Sequence, residues 1–178
     1  MSQPWPQAVL AKAKVVRAAV FDVDGVMTDG RLVYASDGTE LKAFHSRDGL
    51  GLKGLMRNGL AVAVITARRS DIVSRRCQEL GIQHCLQGRE DKGQALRELA
   101  EILGVGTGQM AYMGDDLVDW PAMRLAGFSS TPADASVWLR ERVDLVTSVG
   151  GGRGAVRELC ELLLAAHGHL DSWQGGFV

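Results

Sequence analysis

The sequence predicts an α/β fold: a doubly wound, mainly parallel sheet with helices on both faces. Short apolar runs alternate with stretches of helical amphipathic spacing, the pattern of strands buried between two helical layers. Glycines at Gly59, Gly81 and Gly104 stand where the helical stretches should stop, as left-handed caps. The length of 178 residues suits one compact unit with its own core and leaves little for a second.

The strand candidates are residues 18–23, 61–66, 84–87 and 110–113, with a weaker one at 127–129. One helical stripe runs through Ala95, Leu96, Leu99, Ile102 and Leu103, and another through Val156, Leu159, Cys160, Leu163 and Leu164. One segment breaks the alternation. Residues 31–44 read as two short strands around the Asp37-Gly38 turn, a β-hairpin directly after the first strand, where a helix would normally follow. No internal repeat or linker interrupts the chain, so residues 1–178 are expected to form a single domain with a loosely structured tail over about 168–178.

Composition narrows the partners. Twenty Lys and Arg against 21 Asp and Glu give a net charge of -1, unlike a protein built to coat nucleic acid or an anionic membrane. Three cysteines (Cys77, Cys85 and Cys160) show no paired-ligand spacing, which fits a reducing compartment. The N-terminal stretch lacks the apolar centre of a signal peptide, and no segment approaches the ~20 apolar residues of a membrane span. The expected setting is cytoplasmic, with no nucleic-acid or membrane partner.

The chemistry gathers at strand ends. Asp22 and Asp24 close the first strand, and the turn at Gly25 follows them. Two acids so near each other in apolar surroundings repel unless a cation or a shared proton compensates. The run Gly114-Asp115-Asp116-Leu117-Val118-Asp119 again follows an apolar strand. One isolated Asp pair would more often cap a helix. Two acidic clusters at the ends of central strands point instead to an oxygen-rich site suited to Mg²⁺, provided both strand ends converge at the top of one sheet. Between them, Thr66 ends a strand and Lys92 starts a helix, a hydroxyl and an ammonium that could meet a phosphate. Alone, either would read as a cap or a solvated charge.

In order, Asp22-x-Asp24-x-x-x-Thr28, Thr66, Lys92 and Gly114-Asp115-Asp116 resemble the four motifs of the haloacid dehalogenase-like phosphohydrolases, over about residues 16–166. The resemblance implies catalysis through an aspartyl-phosphate. Asp22 would be the nucleophile and Asp24 the general acid and then base, while Thr66 and Lys92 hold the phosphoryl group. Mg²⁺ would sit on the Asp22 carboxylate, the Asp24 main-chain carbonyl and Asp115. One of Asp116 and Asp119 would orient Lys92 or a metal-bound water, or each would be an ordinary helix N-terminal acid.

About 43 residues lie between Asp22 and Thr66 and about 25 between Thr66 and Lys92, too few for an inserted cap domain. Within the capless subgroup, Asp-Val-Asp-Gly-Val-Met-Thr-Asp-Gly at 22–30, Phe-His-Ser-Arg-Asp-Gly-Leu-Gly at 44–51 and Gly-Gly-Arg-Gly-Ala-Val-Arg-Glu at 151–158 resemble the 3-deoxy-D-manno-octulosonate 8-phosphate phosphatases. That resemblance implies a sugar phosphate substrate and a homotetramer in which the hairpins pack centrally and neighbours complete each active site. It makes Arg68, and Arg76 across the subunit interface, candidates for the substrate carboxylate, which a guanidinium fork matches bidentately. His45 and Arg47 could line the site, and Glu40 and Lys42 read as hairpin surface charges. Thr66-Ala67-Arg68 stands where relatives commonly carry Ser-Gly-Arg, which keeps the hydroxyl. Two alternatives stay open: a phosphatase for a nine-carbon, sialic-acid-type sugar acid phosphate, and a non-catalytic scaffold of the same fold.

Overall fold

A computed structural model describes residues 5–177; what was expected of residues 1–4 and of Val178 lies outside the described residues. After helix α1 (Gln7–Ala13), the buried run Ala-Ala-Val-Phe forms strand β1 (Ala18–Phe21) in the middle of the sheet. The chain then makes the hairpin of β2 (Val33–Tyr34) and β3 (Glu40–Leu41), whose antiparallel register sets Val33 opposite Leu41 and Tyr34 opposite Glu40. From there the alternation is regular: α2 (Ser46–Arg57), β4 (Ala61–Ile65), α3 (Asp71–Leu80), β5 (His84–Leu86), α4 (Lys92–Leu103), β6 (Met110–Met113) and α5 (Trp120–Met123). The chain finishes through β7 (Phe128–Thr131), α6 (Val137–Arg140), β8 (Leu145–Val146), α7 (Ala155–Ala166) and α8 (Leu170–Gly175).

The six-stranded sheet has the order β5-β4-β1-β6-β7-β8, and all its pairs are parallel. Strand alternation sends Ala19, Phe21, Val62, Val64, Ala111 and Met113 to one face, where they pack under α2, α7 and α8. Ala18, Val20, Ala63, Ile65, Met110 and Tyr112 go to the other face, under α4 and α5. Both faces are therefore covered, as a purely parallel sheet requires. Phe21 is level with Val64 and with Met113, so Asp22, Thr66 and Asp115 emerge side by side beyond the carboxyl ends of the three central strands.

Three elements differ from the sequence expectation. The weak strand at 127–129 runs instead over Phe128–Thr131, and β8 was not expected. The first was obscured by its polar residues, two of which are satisfied internally: Thr131 Oγ1 donates to the Gly114 carbonyl at 2.6 Å, and Ser129 Oγ donates to Asp144 at 3.1 Å. Strand β8, with two residues, is too short to show an alternation. The expected loose tail is a helix over Leu170–Gly175. Its Trp173 is 8% exposed, lies over the Cα of Gly54 on α2, and carries the Arg157 guanidinium 4.6 Å from its ring centroid. The sequence pattern missed it because a six-residue helix shows too few turns to display a stripe.

Candidate active site

Asp22 is the first residue past β1, held there by its amide donating to the Met113 carbonyl at 3.0 Å. The chain then turns through Val23–Thr28, where the buried Thr28 Oγ1 accepts from the Gly25 and Gly30 amides and donates to the Val23 carbonyl. Gly25 has a φ of +90°, and a Cβ there would stand 2.0 Å from Asp115 Oδ2, so only glycine lets the two acidic loops close on each other. The loop at Gly151 and Gly152 packs equally tightly on the Gly25 and Thr28 backbone.

Lys92, the first residue of α4, is 2% exposed and points back under the strand ends. Its Nζ lies 2.9 Å from Asp22 Oδ1 and 2.6 Å from Asp119 Oδ1. Burial alone would lower its pKa, but the Asp22 and Asp119 carboxylates outweigh that and hold it above the ordinary lysine value. Asp119 is fully buried and takes four donors. Lys92 and the Tyr112 hydroxyl (2.9 Å) share Oδ1, and the amides of Asp115 (3.0 Å) and Asp116 (3.3 Å) share Oδ2. Of the two acids left open by sequence, Asp119 is thus the one that orients Lys92, while Asp116 caps the short 3₁₀ turn at Leu117–Asp119.

One oxygen from each of Asp22, Asp115 and Asp119 falls within 4.8 Å of the others. These three carboxylates share a single ammonium. Burial and the Asp119 carboxylate push Asp22 up to about 7 against the pull of Lys92, and the same two causes push Asp115 up to about 7. This excess of anionic oxygen is what a hard divalent cation neutralises, so the donor set fits Mg²⁺. The oxygens of Asp119 are already taken. Asp22 and Asp115 remain as side-chain ligands, and among the described residues no backbone amide donates to the Asp24 carbonyl. The two carboxylates of the ligand set that the resemblance implies, Asp22 and Asp115, thus lie together.

Thr66, 2% exposed, lies directly past β4, with its carbonyl accepting from the Arg89 amide. Arg68 lies two residues further on. Its Nη2 donates to the Tyr34 hydroxyl at 2.7 Å and to Glu40 Oε1 at 3.0 Å, and Glu40 also accepts from Ser70 Oγ at 3.0 Å. Lys42 reaches Asp24 in a close ion pair, its side chain 1% exposed, and stands 3.4 Å from Glu40. Glu40 and Lys42 are therefore not surface charges. Alternation along β3 turns Leu41 out to solvent and the two charged neighbours in, the reverse of the usual apolar-in order. That inversion was the missed signal.

Arg76 is not brought to the site within one chain. Its guanidinium lies 5.6 Å from the Phe44 ring centroid and 3.7 Å from Glu79. His45 caps α2, its Nδ1 accepting from the Arg47 amide at 3.3 Å.

No family model matches the chain. The 3-deoxy-D-manno-octulosonate 8-phosphate phosphatase of Escherichia coli K12 is 47% identical over 172 residues, covering 97% of this chain and 92% of that protein. The structure is similar to that of the Moraxella catarrhalis enzyme of the same name, in complex with magnesium ion, phosphate ion and KDO, with a TM-score of 0.95 at 43% identity over 98% of this chain and 100% of that one. It is similar also to a haloacid dehalogenase superfamily (subfamily III A) hydrolase from Legionella pneumophila, with a TM-score of 0.91 at 41% identity over 95% of this chain and 93% of that one.

Proposed function

The chain belongs to the 3-deoxy-D-manno-octulosonate 8-phosphate phosphatases of the haloacid dehalogenase superfamily, and on that premise we propose that it hydrolyses this sugar acid phosphate to the free sugar acid and phosphate, a step towards lipopolysaccharide. The observation that carries the reading is the buried Asp22–Lys92–Asp119 array beside Asp115, with Asp24 at its rim.

In the proposed mechanism, Asp22 attacks phosphorus and forms an aspartyl-phosphate. Asp24 donates its proton to the sugar oxygen as the P–O bond breaks, then takes a proton from the water that cleaves the acyl phosphate. Lys92, locked by Asp119, and the Thr66 hydroxyl hold the transferring phosphoryl group. The Asp22 and Asp115 carboxylates and the Asp24 carbonyl would hold magnesium, which would supply the positive charge that lets an anion approach an anion. Arg68, steadied by Tyr34 and Glu40, is the proposed partner of the sugar carboxylate.

Arg76 is proposed to act on a neighbouring subunit's substrate, in a homotetramer assembled through the hairpins. The support is the hairpin's exposed apolar side chains: Leu32, Val33, Tyr34 and Leu41 are each roughly half exposed, and a partner would cover them. The cytoplasm is the proposed setting; among the described residues no helix is long and apolar enough to cross a membrane, and the three cysteines are free thiols.

A panel of sugar phosphates tests the reading. The expected result is a higher kcat/KM for the eight-carbon acid phosphate than for nine-carbon sialic-acid-type 9-phosphates, with turnover abolished by Asp22→Asn. An equal or reversed preference would overturn the substrate assignment.

A further inference from the structure

The hairpin is too small to hold itself. Each strand has two residues, and an isolated two-stranded hairpin is marginal in water. Polar clamps fix it to the sheet instead. Tyr34 and Glu40, register partners, both grip Arg68, and Glu40 also takes Ser70, so the hairpin is anchored to the loop after β4. Lys42 then spans from this anchored strand to the loop after β1, where it meets Asp24. A lysine sequestered this far from water is costly unless each charge is matched. Here Asp24 and Glu40 match it together.

Asp24 itself lies on a turn, past the end of β1, with its side chain 20% exposed. Apart from Lys42, no side chain among the described residues forms an ion pair with its carboxylate. Unlike Asp22 and Asp119, it has no buried network to set its rotamer.

We propose that Lys42 is a positioning residue: the hairpin carries its ammonium to Asp24 and fixes that carboxyl where it can pass a proton to the leaving oxygen. This rests on the reading of Asp24 as the general acid. In the step concerned, the P–O bond to the sugar breaks, its electron pair stays on the sugar oxygen, and the Asp24 proton moves to that oxygen. Glu40 keeps Lys42 paired while Asp24 carries the proton, so the ammonium holds one place through the cycle. The hairpin would thus set both the proton donor, through Lys42, and the carboxylate-binding Arg68, through Tyr34 and Glu40.

The test exploits leaving groups. An alkyl oxygen needs the proton as it departs, whereas p-nitrophenolate departs without it. The quantity to measure is kcat/KM, which reports the steps up to phosphorylation of Asp22, for the sugar phosphate and for p-nitrophenyl phosphate. In Lys42→Met the alkyl-to-aryl ratio of kcat/KM is expected to fall by about 100-fold, the scale of a misplaced catalytic group. Lys42→Arg, which keeps the charge and the reach, should restore the ratio to within about tenfold of the unmodified value. If both substrates lose kcat/KM equally in Lys42→Met, Lys42 only pins the hairpin or binds phosphate, and the proposal fails. It fails also if the ratio is unchanged, or if Lys42→Arg is no better than Lys42→Met. An error in the functional reading would show separately, in the unmodified protein, as no preference for the octulosonate ester. The ratio can still be read with any alkyl phosphate the protein turns over.

Discussion

Replacing Asp119 with asparagine alters the shape of the side chain hardly at all, yet no orientation of the amide fits the site. Asp119 receives donors on both oxygens: Lys92 and Tyr112 on one, the amides of Asp115 and Asp116 on the other. Asparagine has a single acceptor oxygen, so its NH₂ must face two of those four donors wherever it points. Each buried donor left unmet costs about 1–3 kcal/mol, and the bond to Lys92 loses its charge assistance as well. Against this, removing a carboxylate relieves the repulsion that raises Asp22 and Asp115, which returns part of the loss. A net destabilisation of about 2–4 kcal/mol follows, or roughly 5–15 °C in Tm for a chain of this size. Lys92 keeps only Asp22 as a partner, so it is freer to move and kcat/KM should fall about 100-fold or more. Thermal melts and steady-state kinetics on the same preparations measure both effects. A variant within about 2 °C of the unmodified Tm and within about threefold in kcat/KM would refute the reasoning, because a four-donor buried acceptor cannot be replaced so cheaply.

Three further outcomes are expected. Asp22 and Asp115 titrate near 7 in the folded, metal-free protein but near 3.8 when unfolded, so the folded state holds protons that the unfolded state lacks between those values. Their contribution to metal-free stability therefore falls as pH rises towards 7, by up to about 1.4 kcal/mol per pH unit for each group. With the proposed assignment, magnesium would bind the deprotonated pair, so the Tm gain on adding it should grow from pH 5 to 7.5; a gain independent of pH would falsify the assignment of these ligands. Trp173→Ala should cost about 3–5 kcal/mol, read as a lower denaturation midpoint, because it empties the contact with Gly54 and Arg157; a loss under about 1 kcal/mol would mean that α8 does not pack as described. Val33→Glu combined with Leu41→Glu places two like charges opposite each other on the exposed hairpin face and should reduce the assembly size in light scattering, whereas an unmodified protein that runs as a single chain would sink the tetramer.

The separation between what was readable and what was not follows the range of the interactions. The buried runs at β1, β4 and β6 alternate locally and carry their own signal, as do the cap glycines Gly81 and Gly104, which both take the left-handed conformation. The strand at Phe128–Thr131 was blurred because its polarity is paid for by partners elsewhere, such as the Gly114 carbonyl. The helix at Leu170–Gly175 was missed because its order comes from Trp173 seating on α2 and not from any pattern of its own.

The sequence by itself determined the α/β class, the positions of the acidic loops, and the candidate set Asp22, Asp24, Thr66, Lys92 and Asp115. Each of these is a local matter of residue type and spacing at the end of a strand or, for Lys92, the start of a helix. Only the tertiary structure decided that Asp119 and not Asp116 grips Lys92, that Arg68 is held by Tyr34 and Glu40, and that Lys42 is buried against Asp24. The physical reason is that a charge's role depends on which opposite charge lies within a few ångströms and how little water lies between them. Residues 24 and 42, or 92 and 119, acquire that relation only when the strands are aligned and the hairpin is folded back over their ends.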